Sequence, residues 1–332
     1  MSIVGSIACG TNEPAVTPTI TVQVVPQIFP STSTPSVPTP TAIPTLVPTP
    51  TAIPTLAPTP TILPIPSSGV LARKWDTEGT GDGEFQYPLG VAVASDGSVY
   101  VTDAENHRIQ KFNSEGIFVS KWGAQGTDNG QFDVPGGVAV ASDGSVYVAD
   151  ETNRIQKFTP EGVFVGQWGT YGTAGGQFND PAIVSVASDG SVYVVDHANN
   201  RIQKFTAEGV FVSKWGTYGT ADGQFDRPSG VAVASDGNVY VSGMGNHRIQ
   251  KFTSEGVLVR QWGTEGTGDG QFDVPVGVAV ASDGSVYVTD WNNHRIQKFT
   301  PEGVFVSQWG TNGAGDGQFS FPEGVARDGG DH

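Results

Sequence analysis

The stretch GDGQFDVPVGVAVASDGSVYVTDWNNHRIQKF, residues 268–299, contains three segments with the character of β-strands. Valine and alanine alternate with period two in GVAVAS, and the segments VYVTD and RIQKF follow it closely. The sequence SDGS favours a tight hairpin between the first two segments, because Asp-Gly tolerates the positive φ angles that such a turn needs. A short turn then leads to a fourth segment, FVSQW (305–309). The stretch therefore predicts a unit of four short antiparallel strands.

This unit recurs along residues 69–326, and a tryptophan at the end of each fourth strand marks its period. The tryptophans are Trp75, Trp122, Trp168, Trp215, Trp262 and Trp309. Successive tryptophans lie 47 residues apart, except that 46 residues separate Trp122 from Trp168. A period of about 40–50 residues indicates a propeller or a solenoid. Four antiparallel strands per unit are typical of a propeller blade, so we expect an all-β propeller in which these tryptophans are structural.

Counting the strand segments predicts six blades, of which the last is shared between the two chain ends. Five complete units run from Leu89 to Trp309. The segment that ends at Trp75 is an outer strand with no unit in front of it, and FPEGVA (321–326) is an inner strand with no unit behind it. One blade made from both would close the ring without a free sheet edge. The sequence shows no candidates for the two middle strands of this blade, so we expect a chain shortened at its ends. The alternatives are an imperfect ring and a ring of five blades with two spare strands.

The region before the repeats has a different composition. Residues 1–9, MSIVGSIAC, resemble the end of a lipoprotein signal, in which Cys9 would receive the lipid. Residues 10–68 are rich in proline and threonine, and dense proline favours an extended polyproline II chain without a core of its own. We therefore expect a lipid-anchored stalk that displays the propeller on the extracellular face of a bacterial envelope, with a short tail at 327–332. Membrane contact would be made only through this anchor.

The charge of the chain limits the choice of partner. The formal net charge is -16, and an acidic surface repels phosphate backbones, so nucleic acid is a poor candidate partner and we expect none. A protein or a neutral glycan remains compatible with it. Cys9 is the only cysteine, so the chain forms no internal disulfide. We expect a monomer.

A short motif identifies the repeat family that the units resemble. Asp-x-x-Asn-His precedes the third strand at Asp103 and again at Asp290, and with the strand pattern around it this motif resembles the NHL-repeat family of β-propellers. The second unit has DETNR, one residue shorter, and the fourth has Gly243 in place of the aspartate. Because some units lack parts of the motif, we expect its residues to be structural and not catalytic or metal-ligating. In this role their short polar side chains form hydrogen bonds with nearby backbone amides. The residues with this predicted role are Asp103, Asn106, Arg108, Asp150, Asn153, Arg154, Asp196, Arg201, Asn246, Arg248, Asn293 and Arg295.

The family resemblance leaves the function open. It implies a protein-interaction platform, an RNA-binding domain, an extracellular sensor domain or a metal-carrying lyase, because members share the fold and differ in their partners. We predict no catalytic residue, cofactor or metal ion. The histidines at 107, 247 and 294 occupy equivalent places in different units and should not converge on one metal. Connector carboxylates such as Asp82 lack the spacing of a calcium loop.

Binding is the function that the sequence favours, on the face where the loops between second and third strands vary. Trp291 lies in one such loop and is the only tryptophan outside the repeat position; an indole there could anchor a partner or pack against the next blade. The other candidate ligand-binding residues are Asp290 beside it and, in connectors on the same face, Tyr171 and Tyr218. We expect a non-catalytic surface module that binds a protein or glycan. The alternative is a propeller enzyme, a metal-dependent lyase or lactonase.

Overall fold

The structure, a computed structural model, describes residues 77–327 and the backbone of residues 2–6, 20–24 and 70–75. No α-helix occurs among these residues, and so none that could span a membrane. The all-β fold class is confirmed.

Three sequence predictions fall mostly outside the described residues. Cys9, where we predict lipidation, lies outside the described residues. Most of the signal-like segment 1–9 and most of the predicted stalk 10–68 also lie outside them. The tail 327–332 lies outside apart from its first residue. These remain predictions.

Short strands follow one another through the described part of the chain. They are β1 (Ser2–Ser6), β2 (Ile20–Val24), β3 (Val70–Trp75), β4 (Pro88–Val93), β5 (Val99–Asp103), β6 (Arg108–Phe112), β7 (Phe118–Trp122), β8 (Pro135–Val140), β9 (Val146–Asp150), β10 (Arg154–Phe158), β11 (Phe164–Trp168), β12 (Pro181–Val186), β13 (Val192–Asp196), β14 (Arg201–Phe205), β15 (Phe211–Trp215), β16 (Pro228–Val233), β17 (Val239–Gly243), β18 (Arg248–Phe252), β19 (Leu258–Trp262), β20 (Pro275–Val280), β21 (Val286–Asp290), β22 (Arg295–Phe299), β23 (Phe305–Trp309) and β24 (Pro322–Arg327).

Strands β4 to β23 form five blades, each a four-stranded antiparallel sheet in which consecutive strands are neighbours. The first strand of each blade is innermost and the tryptophan-bearing fourth strand is outermost. The inner strands β4, β8, β12, β16 and β20 contact one another in that order, and β24 contacts both β20 and β4. Five complete blades are thus confirmed, and their inner strands close a ring with β24.

Glycine on the inner strands permits this close approach. A Cβ atom on Gly277 would overlap the carbonyl oxygen of Glu323 on β24, and one on Gly90 would lie 2.7 Å from the carbonyl oxygen of Gly136 on β8. Backbone atoms cannot move away as a flexible side chain can, so a larger residue at either position would force the inner strands apart.

Backbone pairing also joins strands from the two ends of the chain. β24 pairs with β1, β1 with β2, and β2 with β3, all antiparallel. β1 and β2 lie in segments for which the sequence analysis predicted no strand. Residues 20–24 have the sequence ITVQV, which contains no proline and alternates apolar with polar residues. That local pattern was hidden by the proline-rich composition around it.

The hydrophobic core lies between neighbouring blades. Trp122 on the outer strand of the first blade packs against Phe158 of the second, with ring centroids 5.9 Å apart. Tyr100 and Phe132 belong to the same buried cluster, and the arrangement recurs around the ring. The tryptophans from Trp122 to Trp262 therefore hold each blade against the next. Trp309 packs on Tyr287 of its own blade, and the side chain of Trp75 lies outside the described part.

The Asp and Arg of the repeat motif form a buried ion pair inside each blade that has both. Arg108 Nε donates to Asp103 at 2.7 Å, and its other nitrogens donate to the carbonyl oxygens of Thr80, Gly81 and Glu84 in the connector. The equivalent pairs are Asp150–Arg154 at 2.9 Å, Asp196–Arg201 at 2.6 Å and Asp290–Arg295 at 2.7 Å. The motif thus fixes the loop between second and third strands to the connector that enters its blade.

Candidate functional site: one mouth of the central channel

A channel of about 780 Å³ is enclosed by the inner strands. Its wall consists largely of valine, alanine and glycine, as the strand pattern predicted. At one end it is lined by equivalent serines of the tight SDG turns, Ser95, Ser142, Ser188 and Ser235. The residues at the other end differ from blade to blade, and we call this end the variable mouth.

Three positions of the repeat supply the variable mouth. The rim residues precede the first proline of each inner strand and are Tyr87, Val134, Asp180, Arg227, Val274 and Phe321. The loop residues follow the second strands and are Ala104, Glu151, His197, Met244 and Trp291. The wall residues follow the inner-strand prolines and are Leu89, Gly136, Ala182, Ser229, Val276 and Glu323. The neighbouring strand positions hardly vary between units, so sequence differences are concentrated at this mouth.

Backbone hydrogen bonds tie rim and loop residues together. The amide of His197 donates to the carbonyl of Asp180 at 3.1 Å, and that of Trp291 donates to Val274 at 3.1 Å. The same bond joins Ala104 to the first rim residue. Each loop side chain is thereby presented next to the rim of its own blade.

The position of the motif histidine secures the rim from the preceding blade. Nδ1 of His294 accepts a hydrogen bond from the amide of Phe321 at 3.1 Å. In the second blade Asn153, which the shorter loop shifts into the histidine position, accepts from Asp180 through Oδ1 at 3.0 Å. Asn200 does the same for Arg227 at 2.8 Å. An amide oxygen and an imidazole nitrogen both accept, which explains why the histidine is exchangeable.

The backbone of the rim is strained. Tyr87, Asp180, Arg227, Val274 and Phe321 have φ angles of 58°, 60°, 50°, 62° and 51°. Residues with a side chain rarely adopt this left-handed region, at a cost on the order of 1–3 kcal/mol each, and a β-branched valine is an outlier there. Because five of the six rim positions share this conformation, it belongs to the architecture of the repeat.

One side of the variable mouth is acidic. Glu151 and Asp180 both line the channel. Partial burial, and then the charges of Asp180, Asp133 and Asp150, raise the pKa of Glu151 above its ordinary value. Nδ1 of the neighbouring His197 bonds the carbonyl oxygen of Pro228 at 2.9 Å. A carbonyl can only accept, so Nδ1 carries a proton.

The opposite side is aromatic and apolar. The rings of Trp291 and Phe321 have centroids 4.4 Å apart. Met244 and Leu89 line the same channel from the blades between this side and the acidic one. Glu323 lies in this side of the wall and is hydrogen-bonded to the Trp291 side chain. Burial raises the pKa of Glu323 to about 8, although the bond from Trp291 acts in the other direction. At neutral pH Glu323 is therefore mainly an uncharged acid.

The structure separates the four residues predicted to bind a ligand. Trp291 lines the channel. Asp290 is 0% exposed and its carboxylate accepts from Arg295, so its contacts are internal to the blade. Tyr171 and Tyr218 are each 71% exposed and lie in connectors away from the channel lining. Among the described side chains, no three of His, Cys, Asp or Glu are grouped so as to hold a metal ion.

Sequence reasoning missed most of the variable mouth. Glu151, Asp180, His197, Met244 and Glu323 were not singled out, because each is an ordinary residue in its own repeat. Aligning the repeats position by position would have revealed them, since they occupy positions at which the units differ.

The family model described as NHL repeat matches residues 85–112, 132–158, 178–205, 225–252 and 272–299. Each match runs from the connector phenylalanine before an inner strand to the end of the third strand. The chain belongs to the NHL-repeat family of β-propellers. No curated protein sequence matches it.

Solved structures similar to this NHL-repeat propeller include enzymes and a binding protein. Virginiamycin B lyase from Staphylococcus aureus with quinupristin is 18% identical, with a TM-score of 0.52 over 73% of this chain and 74% of that one. A chain of the nidogen/laminin complex is 16% identical, with a TM-score of 0.55 over 75% and 88%. A gluconolactonase from Xanthomonas campestris is 16% identical, with a TM-score of 0.51 over 67% and 75%. At such identities the likeness shows the fold alone.

Proposed function

We propose that this NHL-repeat propeller is a binding module whose partner, a protein or a glycan, occupies the variable mouth of the channel. One observation carries the proposal: all six wall residues, four of the five loop residues and three of the six rim residues, which distinguish near-identical blades, line a single channel. The opposite end, lined by equivalent turn serines, offers no comparable diversity. A concave site that combines apolar side chains with a few polar groups is what ligand recognition requires.

We propose further that the ring has six blades. The contact of β24 with both β20 and β4 supports a sixth position in the ring. The sheet order β24-β1-β2-β3 supports a blade built from both chain ends. Such a blade would hold the ring closed by strand pairing, so that no inner strand has a free edge.

We also propose display on the outer face of a bacterial envelope, with a lipid anchor at Cys9 and residues 10–68 as the stalk. The support is the sequence alone: a signal-like end at the cysteine, followed by dense proline. Metabolic labelling with a radioactive fatty acid tests the anchor, and Cys9→Ser should abolish incorporation.

A second candidate, an enzyme of the lyase or lactonase kind, is favoured by one observation. Glu323 is a carboxyl with a pKa raised to about 8, and His197 lines the same channel. An acid that holds its proton near neutral pH is suited to proton transfer. Turnover of a lactone or of quinupristin that is lost in Glu323→Gln would favour this candidate over the binding module.

Fluorine labelling tests the binding proposal directly. The chain contains seven tryptophans, and 5-fluorotryptophan gives each a resonance; Trp291→Phe assigns the one at the mouth. A panel of basic peptides, acidic peptides and neutral oligosaccharides should include a member that shifts the Trp291 resonance and leaves the outer-strand tryptophans unchanged. A panel that shifts none, or shifts only the outer-strand resonances, would contradict a ligand site at the mouth.

A further inference from the structure

We propose that the variable mouth receives the ammonium or guanidinium group of a lysine or arginine side chain that belongs to a polypeptide. This inference rests on the proposed function and specifies the chemistry of its ligand. It follows from three features of the mouth: the carboxylates on one side, the apolar surface opposite them, and the charges on the face around the opening.

The acidic side favours a cation. Glu151 and Asp180 face the same cavity, and their charges repel one another, with Asp133 adding to the repulsion. Among the described ion pairs none involves Glu151 or Asp180. Arg227 is the only lysine or arginine among the rim, loop and wall residues, and its side chain is 62% exposed and lies 3.6 Å from Asp226. A ligand cation between the two carboxylates would relieve repulsion that the chain itself leaves in place.

The opposite side favours an aliphatic stem next to that cation. Trp291 lines the channel across from the carboxylates, and Met244 and Leu89 line it from the blades that flank the acidic side. Lysine and arginine carry three or four methylene groups that pack on apolar surface while the charged end reaches a polar one. The indole adds a face that attracts cations. A compact inorganic cation would use only the acidic half of this cavity.

The surface around the mouth favours a polypeptide over a free amine. Glu105 and Asp133 are exposed beside the opening, and Asp226 and Asp273 precede rim residues on the same face. The whole chain carries a net charge of -16. A basic polypeptide can cover this acidic face and insert one side chain, which adds electrostatic complementarity that a single small amine cannot reach.

Three probes test the chemistry: acetyl-Gly-Lys-Phe-Gly amide, the same peptide with norleucine in place of lysine, and octylammonium. The readouts are the fluorine resonance of Trp291 and calorimetric affinity. We expect the lysine peptide to shift the resonance and to bind at least about tenfold more tightly than the norleucine peptide. Equal affinity of the two peptides would overturn the inference that the mouth recognises a cation. Octylammonium binding as tightly as the lysine peptide would overturn the choice of a polypeptide.

A matched pair of variants tests the location. Glu151→Gln with Asp180→Asn should weaken the lysine peptide by about tenfold or more. Glu115→Gln with Glu161→Gln makes the same change in net charge at exposed turns on the opposite face and should weaken it less than about twofold. An equal loss of affinity in the two double variants would mean that only long-range electrostatic attraction binds the peptide, which would overturn the location at the mouth. An oligosaccharide or acidic peptide that shifts Trp291 when the lysine peptide does not would overturn this inference and leave the proposed function standing; no shift from any probe would overturn both.

Discussion

Arg248 lies opposite Gly243 across the β17–β18 hairpin, in the register that places Arg108 opposite Asp103 in the first blade. With glycine there, the buried Nε of Arg248 has no hydrogen-bond acceptor, and burial lowers the pKa of this arginine. Asn246 replaces one function of the absent carboxylate, since its Oδ1 accepts from the amide of Asp226 at 2.9 Å.

Gly243→Asp should therefore stabilise the propeller. The new carboxylate would accept from Arg248 Nε as in the other blades, and satisfying a buried donor is worth about 1–3 kcal/mol. Asn246 has to turn its amide, because its Oδ1 is 3.3 Å from the site of the new Cβ. Chemical denaturation measures the change in the free energy of unfolding. Gly243→Ala adds the Cβ without the carboxylate and is the control; equal stabilisation in both variants would show that the ion pair is not the cause.

Gly277→Ala should destabilise the ring, because the new methyl group meets the backbone of β24 at Glu323. Overpacking of this kind typically costs about 1–3 kcal/mol. Gly166→Ala, on the outer strand β11 with no atom within 4 Å of its added Cβ, is the matched control and should change the melting temperature little. A melting temperature unchanged in Gly277→Ala would mean that β24 does not lie against β20.

The stability of the protein should fall with pH through the titration of Glu323. Its pKa is raised from 4.5 to about 8 in the folded state, so the folded chain holds a proton that the unfolded chain has released. This contribution is fully present below pH 4.5 and is lost as the pH rises towards about 8, at up to about 1.4 kcal/mol per pH unit. Melting temperatures measured from pH 5 to 8 should decline less in Glu323→Gln, which does not titrate. Parallel curves for the two proteins would rule out the effect.

Trp291→Ala should weaken the lysine peptide and also lower stability by about 1–3 kcal/mol, because the indole packs on Phe321 and bonds Glu323. Trp291→Phe retains much of the packing but not the indole N–H, and should therefore recover more of the stability than of the affinity. Calorimetric titration and thermal melting of both variants separate the two effects. If a folded Trp291→Ala protein bound the lysine peptide with full affinity, the indole would not be part of the binding site.

The blades were predictable from the sequence, whereas the mouth was not. Alternating valine and alanine, the Asp-Gly turns and the tryptophan period each occur repeatedly, so local preference and repetition agree on the strands. Glu151 and Glu323 each occur at only one of the equivalent repeat positions and lie in different sheets. They share a cavity only because the ring brings distant inner strands around one axis, which no local pattern encodes. The sequence singled out Trp291 because an extra tryptophan is conspicuous. It could not show that Asp290 is buried, because that burial goes with the ion pair to Arg295.

The hydrogen bonds that the amides of Phe321 and Asp180 donate to His294 and Asn153 each connect one repeat to the segment that follows it. A rim residue therefore reaches its position only when the blade before it has docked. Ligand recognition at the mouth therefore requires neighbouring blades to be assembled. A single excised blade would carry its own mouth residues but would not form the opening. The mouth should consequently be the last part of the propeller to form on folding and the first to be lost when neighbouring blades separate.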